Sequence, residues 1–103
     1  MPRGLGYADD ALADLAGVTR WLTQPDSGPA ARRVLAAIWV AIEHLREQPC
    51  LWPIGQHAGV RELPCAGGYR ALYEVNSDTG SNETAGDVRV LRVFGPGQNR
   101  RRI

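Results

Sequence analysis

The sequence predicts an α+β fold of two layers, an N-terminal α-hairpin packed on one face of a three- to four-stranded antiparallel sheet. Three observations carry this. Apolar residues recur at helical spacing through the first half of the chain, the period changes to short extended runs in the second half, and glycine, proline or polar stretches separate the runs. With 103 residues the chain is read as one domain, 1–103.

The elements follow in order. Arg3 to Ala8 is a weak candidate for an edge strand, because Gly4 and Gly6 interrupt it. Ala11, Leu15, Val18 and Leu22 then mark one face of a helix from about Asp9 to Thr23, with Asp9 or Asp10 placed to cap it. Residues 24–29, with two prolines and a glycine, break the ladder. Ser27 and Pro29 open a second helix that runs to about Glu47. At about 100° per residue its core arc is Val34, Leu35, Ile38, Ala41, Ile42 and Leu45. Trp39 lies at the edge of that arc and Val40 projects into the polar face. Pro49 to Gly55 forms a proline-bounded apolar connection that packs back on the domain.

Strands are expected at Val60–Cys65, Tyr69–Val75 and Val88–Phe94, with Gly67-Gly68 as the tight turn between the first two. In the second run Tyr69, Ala71, Tyr73 and Val75 share one side. The third is apolar on both sides and reads as an interior strand. Ser77 to Gly86 has little to bury and reads as a mobile hairpin loop. Residues 95–103 form a basic tail.

Composition excludes several functions. Twelve basic residues, all arginine, face eleven acidic ones for a net charge of +1, which is too little for a sequence-neutral nucleic-acid binder. The charge-free run Val34–Ile42 is far shorter than the roughly 20 apolar residues of a membrane span. The opening residues lack the apolar core of a secretory signal, so a cytoplasmic location with reduced Cys50 and Cys65 is expected. Those thiols and His44 and His57 show no paired short spacing, and neither a metal nor a cofactor is expected. No nucleophile–base motif is present, and Asp9, Asp10 and Asp14 suit the positive end of a helix. Arginine placement is the distinctive feature: Arg61, Arg70, Arg89 and Arg92 fall in strands, and Arg100, Arg101 and Arg102 end the chain.

Three segments carry a family resemblance: Gly59-Val60-Arg61-Glu62-Leu63, Gly68 to Val75 (Gly-Tyr-Arg-Ala-Leu-Tyr-Glu-Val), and Val90-Leu91-Arg92-Val93-Phe94-Gly95. They follow two helices, the first containing Ala11-Leu12-Ala13-Asp14-Leu15. From Tyr7 to Gln98 the chain resembles the RelE/ParE superfamily of type II toxin–antitoxin toxins, whose fold is an α-hairpin on an antiparallel sheet. RelE-like members are ribosome-dependent messenger-RNA endoribonucleases, whereas ParE-like members inhibit DNA gyrase.

Carried across, the ribonuclease positions are Arg61 and Arg70. Leu63 replaces a second basic residue, Gly97 falls near the catalytic arginine, and Ile103 ends the chain where a tyrosine is expected. The resemblance therefore implies a ParE-like growth inhibitor that acts by binding gyrase and is neutralised by a cognate antitoxin; if the chain is an enzyme, it is a messenger-RNA endoribonuclease. The alternatives are a RelE-like endoribonuclease acting on ribosome-bound message, or a non-toxic homologue that only binds its antitoxin. Arg61, Arg70, Arg92, Arg100, Arg101 and Arg102 are the candidate target contacts. Trp39, Val40, Trp52 and Tyr73 are the candidate antitoxin anchors, as large apolar groups near polar faces.

Overall fold

The expected helices and strands all form. In the computed structural model, which describes residues 3–98, the elements are β1 (Leu5–Tyr7), α1 (Asp9–Leu22), α2 (Gly28–Glu43), β2 (Val60–Pro64), β3 (Arg70–Val75) and β4 (Val88–Phe94). The strands make one sheet in the order β1-β4-β3-β2.

The spacing that predicts α1 is the spacing that buries it. Ala11, Leu15 and Leu22 pack on the sheet with Ile38, Ile42 and Leu45 from α2 and the turn after it. Asp9 and Asp10 lie in the first turn of α1, where they oppose the helix dipole, and neither caps it. Ala8 is the N-cap, because its N–H is already bonded to the Val90 carbonyl at 2.8 Å and the chain passes straight from β1 into the helix. The second helix is shorter than its apolar arc: α-geometry stops at Glu43 and a 3₁₀ turn covers His44–Arg46. Pro49 disfavours helical backbone at the residue before it, and the ladder tightens ahead of it.

β2, β3 and β4 are antiparallel neighbours, whereas β1 runs parallel to β4, with Leu5 opposite Val88 and Tyr7 opposite Val90. The sheet is thus mixed at one edge. Gly67 and Gly68, with φ of 69° and 79°, turn β2 into β3 through backbone angles that residues with a Cβ adopt rarely. Tyr69, Ala71, Tyr73 and Val75 all face the helices, as their alternation requires, and Leu72 joins Val60 and Phe94 in a smaller cluster on the opposite face.

β4 is interior, yet its apolar pattern has a cause that alternation does not contain. The register slips between Leu72 and Tyr73: Leu72 faces Arg92 and Tyr73 faces Val90, leaving Leu91 as an extra residue. A bulge of this kind resets which side chains point inward. Val88, Val90 and Val93 reach the main core, and Arg92 moves to the open face.

The segment expected to be a mobile loop is tied down. Ala85 is buried, the Cys50 N–H donates to Asn82 Oδ1 at 2.8 Å, and the Arg3 guanidinium donates to the carbonyls of Gly86, Ala85, Asn82 and Arg46. Residues 77–86 therefore stitch Arg3 to the connection after α2. Among the described residues, no helix is long and apolar enough to cross a membrane.

Candidate functional site

The arginines that sequence groups together are divided by the fold. Arg61 lies opposite Tyr73 in the sheet register, and its side chain is only 12% exposed. Its Nε and Nη2 donate to the two carboxylate oxygens of Asp78 at 2.9 and 3.0 Å, and Nη1 donates to the carbonyls of Trp52 and Cys50 at 2.6 and 3.3 Å. These bonds hold the Asp78 carboxyl below the usual carboxylate range. They also pin the connection after α2 against the loop between β3 and β4.

Arg92 is committed in the same way. Its Nε and Nη2 donate to Asp14 of α1 at 2.8 and 3.2 Å, and its guanidinium carbon stands 4.7 Å from the centroid of the Phe94 ring. Arg70 and Arg89 differ: neither makes an ion pair among the described residues. Arg70 is half-buried beside Pro64 and Phe94 in the register, and Arg89 is exposed opposite Glu74. Arg100, Arg101 and Arg102 lie outside the described residues.

The four apolar candidates also separate. Trp39 and Val40 stand together on α2, 41% and 55% exposed, and the Trp39 ring meets Tyr7 edge-on at 6.2 Å. Trp52 is half-buried on the connection after α2. Tyr73 is a correction: it is fully buried and its hydroxyl donates to the Pro49 carbonyl at 2.7 Å, so it holds the core together and offers no surface. Its place was written in its own alternation, since it shares a side with Ala71 and Val75. Sequence reading missed Leu12, Trp21, Leu51 and Ile54, all large and exposed, with Trp21 at 64%. Trp21 was findable, because Leu22 belongs to the core face and its predecessor must point about 100° away from it.

Among the described residues, two of the clefts lie beside these candidates. One, of about 410 Å³, lies between α1 and the end of β4, where Asp14, Trp21, Tyr69 and Pro96 line it. The other, of about 420 Å³, opens beside β2 and is lined by Trp52, Pro53, Gly55, Glu62, Pro64 and Arg70. What the arrangement offers chemically is apolar contact and unpaired guanidinium groups. Cys65 is no nucleophile here, because burial pushes its thiol up to about 11, and burial with Asp78 nearby also raises Cys50.

Comparison with known proteins gives a consistent picture. The family model described as ParE toxin of type II toxin-antitoxin system, parDE, matches residues 5–99. A chain of the chromosomal ParDE toxin–antitoxin system from P. aeruginosa superposes with a TM-score of 0.69 at 16% identity, over 91% of this chain and 96% of that one. A chain of the RelBE2 toxin–antitoxin complex from Mycobacterium tuberculosis superposes with a TM-score of 0.58 at 20% identity, over 92% of this chain and 99% of that one. No curated protein matches the sequence.

Proposed function

Because the chain belongs to the ParE toxin family of type II toxin–antitoxin systems, we propose that it arrests growth by binding DNA gyrase and that a cognate antitoxin neutralises it. The observation that supports binding over RNA cleavage is the state of Arg61. An endoribonuclease needs preorganised cations free to meet the charge that develops on the phosphate. Every guanidinium nitrogen of Arg61 already donates to Asp78 or to a backbone carbonyl. Arg92 is likewise held by Asp14.

Of the candidate target arginines and Arg89, those left for a target are Arg70 and Arg89 on the open face of the sheet, together with the tail arginines Arg100, Arg101 and Arg102. Charges of this kind speed encounter with an acidic surface more than they stabilise a fold. Trp39 and Val40 serve the antitoxin, since exposed apolar neighbours on one helix mark a protein contact. The chain acts in the cytoplasm, where gyrase is found.

The test is direct. Purified chain should trap gyrase on plasmid DNA and leave ribosome-bound message intact. Message cut in the presence of ribosomes, with gyrase unaffected, would instead establish the endoribonuclease reading.

A further inference from the structure

We propose that the cleft beside β2 is a docking pocket for an acidic peptide segment of the neutralising antitoxin, with the Arg70 guanidinium receiving its carboxylate. The inference rests on the reading that an antitoxin neutralises this chain.

The walls of the cleft are Trp52, Pro53 and Pro64, three flat apolar groups, and its volume of about 420 Å³ suits one or two side chains of a peptide. Its charged groups are unequal. Glu62 is engaged, with Oε2 accepting the Gln56 N–H at 3.1 Å. The Arg70 guanidinium makes no ion pair among the described residues, while its backbone is held in the ladder between Pro64 and Phe94. Arg70 is half-buried between Pro64 and Phe94 in the register, and a guanidinium without a protein partner favours an anion, whose carboxylate meets its planar fork with two parallel bonds.

The cleft between α1 and the end of β4 lacks this demand, and a third, of about 370 Å³ around Arg89, also holds the acids Glu74 and Asp87. Among the described residues that line the first of these, the one acid, Asp14, already accepts from Arg92 and from the Val93 N–H. The β2 cleft is also rigid. Gly55 lies so close to Glu62 that an added Cβ would fall 1.9 Å from its carboxylate, the Gly55 N–H donates to the Val60 carbonyl, and the Pro53 carbonyl accepts the Glu62 N–H. These bonds cover the outer edge of β2, so a partner gains entry through side chains rather than by adding a strand.

Peptide is favoured over nucleic acid by number. One unpaired cation between apolar walls suits one carboxylate flanked by apolar side chains, whereas a phosphate backbone is held by several cations along its length. The pocket adjoins exposed Leu51 and Ile54 on the same connection, which supply further apolar contact on the approach. A carboxylate seated on Arg70 would also withdraw that cation from any target, which is what neutralisation requires.

The experiment titrates the full chain with acetyl-LEFEL-amide and with its uncharged counterpart acetyl-LQFQL-amide, following the Trp52 indole N–H by NMR. The acidic peptide should bind at least tenfold more tightly than the neutral one. Arg70→Gln should remove that preference, Arg70→Lys should restore part of it, and Arg33→Gln, an equal charge change on the exposed side of α2, should leave it alone. Equal weakening by Arg33→Gln, no effect of a folded Arg70→Gln, or tighter Arg70-dependent binding of a twelve-residue oligothymidylate would overturn the proposal. Gyrase trapping is measured separately on the same preparations, so failure of the toxin reading leaves the peptide result standing as its own answer.

Discussion

Asp14 and Arg92 lie 78 residues apart and form a two-point ion pair that fastens α1 to β4. Asp14 Oδ2 accepts the Val93 N–H as well, at 2.9 Å. The reason is geometric. β1 pairs with β4 only from Val88 to Val90, so beyond Val90 the edge of β4 has no strand beside it. A carboxylate from the helix takes the place of the missing strand.

Asp14→Ala should therefore cost more than a surface ion pair. Removing one partner leaves a part-buried guanidinium and a backbone N–H unsatisfied, worth about 1–3 kcal/mol. The melting temperature should fall by about 5 °C or more. Thermal unfolding by circular dichroism measures it, and a shift under 1 °C would show that water serves this edge equally well.

The Asp78–Arg61 pair sets a pH dependence. The hydrogen bonds from Arg61, and then that from the Gly80 N–H, hold the Asp78 carboxyl below its ordinary value. Its unfolded-state value is about 3.9. A depressed folded value means that the stabilisation is complete above that pH and is lost as pH falls through the folded value. The stability gap between the parent and Asp78→Asn in urea should be widest near neutrality and should close below pH 4. A gap independent of pH would contradict the assignment.

Both thiols should react slowly. With Cys65 raised to about 11, roughly one molecule in a thousand carries the thiolate at pH 8. Cys50 is raised less and should be labelled first by a disulfide reagent. Cys50→Ser and Cys65→Ser should each keep growth inhibition if folded. Loss of inhibition with a normal melting curve would reveal a role for the sulfur.

Truncating Trp39 and Val40 together to alanine should weaken the antitoxin complex at least tenfold, about 1.4 kcal/mol, in calorimetry. Tyr73→Phe is the contrast. It removes the bond to the Pro49 carbonyl and should cost about 1 kcal/mol of stability while leaving the affinity unchanged.

Deleting residues 99–103 removes Arg100, Arg101 and Arg102. Gyrase trapping should weaken, most at low salt, and the melting curve should stay within a degree of the parent. Full trapping by the shortened chain would move the contact to Arg70 and Arg89.

Local pattern by itself determined the helices, the β2-to-β3 turn and the interior position of β4. The spacing of Ala11, Leu15 and Leu22 and the alternation of Tyr69 to Val75 follow from the pitch of a helix and the pleat of a strand, which act over a few residues. Even the burial of Tyr73 was contained in that alternation. The tertiary structure alone decided the rest. A one-residue bulge at Leu91 turned Arg92 outward toward Asp14, a parallel β1 left half an edge for that acid to fill, and Asp78 drew Arg61 away from the surface. Which arginines remain available depends on carboxylates far away in the chain, because an ion pair is set by distance in space, and no period of the sequence carries that distance.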